Sequence, residues 1–76
     1  MKYNDFLNMK VLGKRIKARR EKLGMPQWKL ARKVWGKYGR AHDVENVEVG
    51  NIWNSSWVRP CAKALEMKPS ALLRGL

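Results

Sequence analysis

Glycine and proline residues mark where the apolar patterns of this sequence start and stop. Gly24 follows the first apolar pattern, and Pro26 stands two positions later. Gly36 and Gly39 flank a two-residue turn, and Gly50 closes a third interval. Glycine favours the end of a helix because it adopts a positive φ at little cost, whereas proline is tolerated in a helix only in the first turn. The chain is therefore expected to fold as a series of short elements.

Within these intervals, apolar residues recur three or four positions apart among charged ones, as on one face of a helix. Leu12 and Ile16 are four apart, and Leu30 and Val34 repeat that spacing. No segment alternates as a strand does. The pattern and its start and stop signals predict helices over about 9–23, 27–35, 40–49, 57–66 and a last short segment from 69. The expected fold class is all-α, a compact bundle of about five short helices.

The chain has room for one domain. With 76 residues it buries a modest core, and its 45% of hydrophobic residues exceeds what disordered chains carry. The predicted order has two short helices joined by a turn and flanked by further helices. This is the layout of a helix-turn-helix domain. We expect a single helix-turn-helix domain over residues 1–76, in which helices 2 and 3 form the motif and residues 1–8 are a potential flexible arm.

Positive charge dominates the sequence. Seventeen Lys and Arg oppose six Asp and Glu, which gives a net charge of +11, and 13 of the 17 basic residues fall in the first 40 positions. A field of this size attracts polyanions whatever the fold. Nucleic acid is therefore the expected partner.

Several classes of protein are not expected. Cys61 is the single cysteine and His42 the single histidine, so the sequence offers neither a disulfide nor a metal cluster, and no nucleophile, base and acid recur at catalytic spacing. No apolar run approaches a membrane span, and the first residues lack the apolar core of a signal peptide. We expect a cytoplasmic protein without enzymatic activity, cofactor, membrane partner or small-molecule substrate.

Three segments of the sequence carry a resemblance to a known family. Residues 12–27 read LGKRIKARREKLGMPQ and are followed by Leu30 and Ala31, residues 44–50 read VENVEVG, and residues 63–73 read KALEMKPSALL. Together they resemble the lambda-repressor-like (Cro and phage repressor) helix-turn-helix family, which has a basic first helix, a glutamine leading into helix 2, a Glu-x-Gly end to helix 3 and two closing helices. The last segment is also similar to the end of the phage Ner proteins.

The resemblance implies a fold, a function and one internal contact. It implies a phage-repressor-like regulator of transcription that binds DNA with helix 3 in the major groove, and a structural ion pair between Arg20 and Glu48. Two departures from the family pattern stand out. Between Val34 and Val44 there are about three more residues than a tight helix-turn-helix turn needs, and Pro26 stands where the family prefers a Ser or Thr helix cap.

Candidate base-reading residues lie at the start of helix 3. Arginine commonly binds guanine, asparagine can bind adenine through two hydrogen bonds, and a carboxylate can accept from cytosine. The candidates for base contact are Arg40, Ala41, His42, Glu45 and Asn46.

Candidate phosphate-binding residues surround the start of helix 2. Amides at a helix N-terminus and nearby cations bind phosphate and fix the register of the protein on the duplex. The candidates are Gln27, Trp28, Lys29, Lys14 and Lys37.

Helix 3 also carries half of the acidic residues of the chain. Asp43, Glu45 and Glu48 would repel phosphates if all three faced the duplex. The family assigns Glu48 to the ion pair, and Asp43 is expected to cap helix 3. Glu45 is left without a role other than cytosine readout.

The remaining apolar residues are assigned to packing. Cys61, Met25 and Met67 are expected in the core, and Trp53 and Trp57 in the core or at a dimer contact. The expected assembly is a homodimer on double-stranded DNA, because one unit of this size contacts too few base pairs for much specificity. A candidate pairing surface is formed by Leu72, Leu73 and Leu76.

Two other functions compete with this one. A small basic RNA-binding protein could use charge and exposed tryptophan on single strands, although the sequence lacks the signatures of common RNA modules. A basic amphipathic peptide acting at membranes is disfavoured, because Gly24 and Pro26 interrupt the basic helix.

Overall fold

The computed structural model describes residues 4–51 and 56–75, with side chains from residue 8 onward. These residues form a short 3-10 helix, Gly36–Tyr38, and five α-helices: α1 (Asn4–Lys22), α2 (Gln27–Trp35), α3 (Ala41–Glu48), α4 (Val58–Ala64) and α5 (Pro69–Leu72). No strand occurs in the described ranges. The predicted all-α class is confirmed, and α2 and α3 pack closely, as in a helix-turn-helix.

The predicted boundaries of α2 and α3 agree with the structure, whereas those of α1 and α4 need correction. α1 begins at Asn4 rather than near residue 9, so residues 4–8, predicted as part of a flexible arm, belong to the helix. A helix can extend beyond its apolar stripe because its backbone hydrogen bonds are internal. α4 is shorter than predicted, and Pro60 is its third residue, within the first turn where proline is tolerated.

Three helices end in the same way. Gly24, Gly50 and Glu66 adopt left-handed backbone conformations, with φ of 65°, 88° and 58° after α1, α3 and α4. The next amide then donates to the carbonyl five residues earlier: Met25 to Arg20 at 3.0 Å, Asn51 to Asn46 at 2.8 Å, and Met67 to Ala62 at 2.9 Å. These Schellman ends satisfy carbonyls that have no partner inside the helix. Glu66 takes this position without the help of glycine.

All five helices, with the residues that end them, contribute to one core. The largest side chains that are fully buried are Ile16, Leu30, Val44, Leu65 and Leu72. Leu72 is therefore unavailable for the dimer contact that the sequence suggested, because the protomer itself buries it completely. Leu73 remains 40% exposed, and Leu76 lies outside the described residues.

The core predictions that the structure describes are confirmed. Trp57 is buried, and Met25 and Met67 pack against the core. Cys61 is also buried; burial raises the pKa of its thiol to about 12, and the charge of Glu48 adds to the rise. Trp53 lies outside the described residues.

Two arginines of α1 bind the C-terminal ends of other helices. Arg15 Nη1 donates to the carbonyls of Leu72 at 3.0 Å and Arg74 at 2.6 Å. Arg19 Nε donates to the carbonyl of Leu65 at 2.9 Å. The last carbonyls of a helix lack internal partners, and a cation also favours the negative end of the helix dipole. These two cations therefore hold α4 and α5 on α1.

The folded chain measures 33 × 21 × 18 Å along its principal axes. Among the residues described, no helix has the length and the apolar character that crossing a membrane requires.

Candidate nucleic-acid interface

One side of α3 is buried against the rest of the molecule. Val44, Val47 and Glu48 lie on this side, and α3 packs on α2 and on α1. α1 approaches the end of α3 at Gly13, where an added Cβ would lie 2.5 Å from the carbonyl oxygens of both Val47 and Glu48. Only glycine permits so close an approach. The contact at Gly13 therefore fixes the position of α3 on α1.

A buried ionic network joins the first three helices. Arg20 Nε donates to Glu48 Oε2 at 2.6 Å, and Arg20 Nη2 donates to Glu48 Oε1 at 3.2 Å. Arg20 Nη1 donates to the Met25 carbonyl at 2.9 Å, and Gln27 Nε2 donates to Glu48 Oε1 at 3.0 Å. The ion pair that the family resemblance implies is thus present. It links α1 and α3 directly and reaches the first residue of α2 through Gln27.

Two of the candidate base-reading residues are exposed on the opposite side of α3. The His42 and Glu45 side chains are 73% and 63% exposed, and His42 Nδ1 lies 3.9 Å from Glu45 Oε2. Asn46 and Ala41 are half-buried on the same helix. The structure therefore brings these four candidates together on one short helix, where His42 and Glu45 are the most exposed of the four.

The start of α3 is set by Arg40 and Asp43. α3 begins at Ala41, so Arg40 is its N-terminal capping residue and remains exposed just before the helix. The Arg40 amide donates to Asp43 Oδ2 at 3.0 Å. Asp43 therefore satisfies an amide and places a carboxylate at the positive end of the helix dipole, as expected of a capping residue.

The candidate phosphate-binding residues are spread over three elements. Trp28, 58% exposed, and Lys29 lie in the first turn of α2, next to Gln27, whose amide is held by α3. Lys37 is exposed in the turn between α2 and α3, and Lys14 is exposed on α1. The structure joins Gln27, Trp28 and Lys29 at one end of α2 and leaves Lys14 on a separate helix.

Sequence reasoning missed two exposed residues at the ends of α3. Tyr38, in the turn before α3, is 80% exposed, and Val49, just after α3, is 63% exposed. The Lys37 Nζ lies 5.2 Å from the centroid of the Tyr38 ring. The Gly36 and Gly39 signals located the turn, but no periodicity in a turn of this length indicates which side chain it exposes.

Comparison with known proteins gives no assignment: no protein-family model matches this chain, and no curated protein matches it. The function is therefore argued from the residues and the geometry of the interface.

Proposed function

We propose that this protein is a sequence-specific DNA-binding regulator of transcription, of the phage repressor and Cro kind, in which α3 reads the major groove. The observation that carries the proposal is the division of α3 into two sides. Its inner side is fixed by Gly13 and by the Arg20–Glu48 pair, while His42, Glu45 and Asn46 lie on the outside. A rigidly supported helix with polar residues on its free side suits the reading of base edges.

The dimensions of α3 support this role. An α-helix with its side chains is about 10–12 Å in diameter, and the major groove of B-DNA, about 12 Å wide, admits it. Arg40 and His42 lie at the N-terminal end of α3, which is the end that contacts bases in helix-turn-helix proteins. Asn46, one turn later, reaches the same side.

Charge supports a polyanionic partner. The chain carries a net charge of +11, but Arg15, Arg19 and Arg20 are engaged in contacts inside the protein. The cations available to phosphates near α3 are Lys29, Lys37 and Arg40, all of which are exposed. In this account α2 and the turn bind the DNA backbone while α3 reads bases, which is the division of labour found in protein–DNA interfaces.

The active form in this proposal is a homodimer acting in the cytoplasm. The longest dimension of one copy is 33 Å, close to the spacing of about 34 Å that separates half-sites one helical turn apart. Two copies side by side would each contact one half-site. The buried Arg20–Glu48 pair, which matches the pattern of the lambda-repressor-like family, supports the fold of each copy.

Selection of bound sequences from a pool of random duplex DNA tests the proposal. We expect enrichment of a single site with inverted-repeat symmetry, because a two-fold dimer reads the same half-site twice. Absence of enrichment over the starting pool would contradict sequence-specific binding. Enrichment of a site without symmetry would contradict the homodimer but not the reading by α3.

The exposed aromatic residues favour one alternative, binding of single-stranded RNA. Trp28, Trp35 and Tyr38 are 58%, 36% and 80% exposed, and aromatic rings can stack on unpaired bases. A competition between the selected duplex and single-stranded RNA of the same length separates the two functions. Displacement of the duplex by equimolar RNA would favour the alternative.

A further inference from the structure

The turn between α2 and α3 presents an aromatic residue and a cation together. Gly36–Tyr38 forms a single turn of 3-10 helix, in which Tyr38 is 80% exposed and the Lys37 Nζ lies 5.2 Å from its ring centroid. A large aromatic side chain that is this exposed buries little apolar surface within the protomer. Its ring and hydroxyl are therefore accessible to a partner.

The backbone below Tyr38 is firmly held. Gly39 is buried, and a Cβ added to it would lie 2.1 Å from the Ala31 carbonyl oxygen, so the turn lies directly against α2. The Gly39 amide donates to the Gly36 carbonyl at 2.9 Å. α3 begins two residues later, at Ala41. Tyr38 is thus attached to a fixed point beside the first turn of α3.

The chemistry of the turn suits a phosphate oxygen. Lys37 and Arg40 are both exposed, the phenolic hydroxyl of tyrosine is a hydrogen-bond donor, and the carboxylate of Asp43 is already bonded to the Arg40 amide. Hydrogen bonds from Tyr, Lys and Arg to phosphates position a protein on DNA and carry no sequence information.

We propose that Tyr38 and Lys37 form a clamp on the DNA sugar-phosphate backbone at the edge of the groove that α3 enters, with the Tyr38 hydroxyl donating to a phosphate oxygen. This inference rests on the proposed function, since it places the N-terminal end of α3 in the major groove. It extends that function by assigning a backbone contact to the long turn, which a tight helix-turn-helix turn would be too short to make.

The test compares Tyr38→Phe, Tyr38→Ala and Lys37→Ala with two controls, Val11→Ala on α1 and Lys63→Ala on α4. Val11 is an exposed apolar residue and Lys63 an exposed cation, and both lie outside the candidate interface. Dissociation constants are measured for the selected duplex and for a scrambled duplex at several salt concentrations. Thermal unfolding of each variant verifies that it folds as the wild type does.

We expect Tyr38→Phe to weaken binding by at least about tenfold on both duplexes, because each copy in the dimer loses a hydrogen bond to a charged group, and Tyr38→Ala to weaken it further. Lys37→Ala is expected to lower the log–log salt slope by about two, because each copy in the dimer loses one phosphate contact. The two controls are expected to bind as the wild type.

The other outcomes overturn the inference in distinguishable ways. If the wild type binds the selected duplex and the Tyr38 variants bind it equally well, this inference is wrong and the proposed function stands. If Tyr38→Ala loses affinity only for the selected duplex, Tyr38 reads a base and the backbone clamp is wrong. If the wild type binds neither duplex, the proposed function and this inference are both wrong.

Discussion

At the scale of single residues, Glu48 joins three helices. Its side chain is 3% exposed, and it accepts hydrogen bonds from Arg20 on α1 and Gln27 on α2. A carboxylate buried in this way is tolerated because both of its oxygens have partners. Its main contribution is to fix the orientation of α3 relative to the other two helices.

Replacing Glu48 by alanine is expected to destabilise the fold by about 3–5 kcal/mol, because the Arg20 charge would stay buried without a partner. Folding free energies of chains this small are only a few kcal/mol, so the variant should be largely unfolded at 37 °C. Denaturant unfolding monitored by circular dichroism measures the loss.

A double variant, Arg20→Met with Glu48→Leu, serves as the control for Glu48→Ala. It removes both charges, so it should recover much of the lost stability. If Glu48→Ala alone unfolds with the wild-type midpoint, the ion pair is not the contact that fixes α3.

Cys61 makes the stability of the protein depend on pH in the alkaline range. Burial, with a smaller contribution from the charge of Glu48, raises the pKa of the thiol from 9.0 to about 12. The folded state therefore keeps the proton that the unfolded chain releases. The stabilisation is complete below pH 9 and is lost as the pH rises toward 12.

The free energy of unfolding should fall faster with pH for the wild type than for Cys61→Ala above pH 9. The difference in slope approaches about 1.4 kcal/mol per pH unit, which corresponds to one proton. Urea unfolding of both proteins between about pH 8 and pH 10.5 measures this difference in slope. The two proteins have the same lysines and tyrosines, so the titration of those residues cancels in the comparison. Parallel curves over this range would show that the thiol has an ordinary pKa.

Among the elements, the turn from α2 to α3 depends on two glycines for different reasons. Gly36 needs a positive φ of 76° but has open space around its Cα, whereas Gly39 has an ordinary φ of −68° but touches the Ala31 carbonyl. The sequence pattern located the turn, since glycine can take a positive φ there. Gly36 does so, whereas Gly39 is required by close approach.

Gly36→Ala and Gly39→Ala should therefore differ strongly. Gly36→Ala forces alanine into a backbone conformation, φ 76° and ψ −156°, that is essentially restricted to glycine and costs about 1–3 kcal/mol. Gly39→Ala places a methyl group 2.1 Å from the Ala31 carbonyl oxygen, which forces α3 away from α2, and it should cost more. Thermal denaturation measures the loss of stability in each variant. Equal losses would mean that the turn is not pressed against α2.

The sequence predicted the positions of the helices better than the contacts of their basic side chains. Apolar spacing with glycine and proline signals located α2 and α3, because both helices bury one face. The contacts of Arg15 and Arg19 with the ends of α4 and α5 could not be predicted, since basic residues on a helix look alike until the partner carbonyls are placed. Arg20 could be assigned only through the family resemblance. Tyr38 carried no signal, because a turn has no periodicity.

At the scale of the whole molecule, the net charge overstates the positive charge that is available to a polyanion. Three of the arginines of α1 bind carbonyls or a carboxylate of the protein itself. The lysines of α2 and of the turn remain exposed. The salt dependence of binding should accordingly reflect a limited number of phosphates and not the whole charge of +11 per chain.

For a dimer that contacts about 4–10 phosphates, the logarithm of the affinity should fall with the logarithm of the salt concentration with a slope of about −4 to −9. Lys29→Ala should reduce the slope, because Lys29 is exposed in the first turn of α2. Titration of labelled duplex at several potassium chloride concentrations gives the slope. An affinity that does not change with salt would remove the electrostatic basis of the proposal.

The central claim is that α3 reads bases while the exposed lysines contact only the backbone. The most direct measurement compares Asn46→Ala and Lys14→Ala on the selected site and on a scrambled duplex. Asn46→Ala should lose about 1–3 kcal/mol on the selected site and little on the scrambled one, as loss of a bidentate base contact does, whereas Lys14→Ala should weaken both equally or have no effect. Equal losses on both duplexes for Asn46→Ala, and likewise for Arg40→Ala, would show that α3 is not the reading helix.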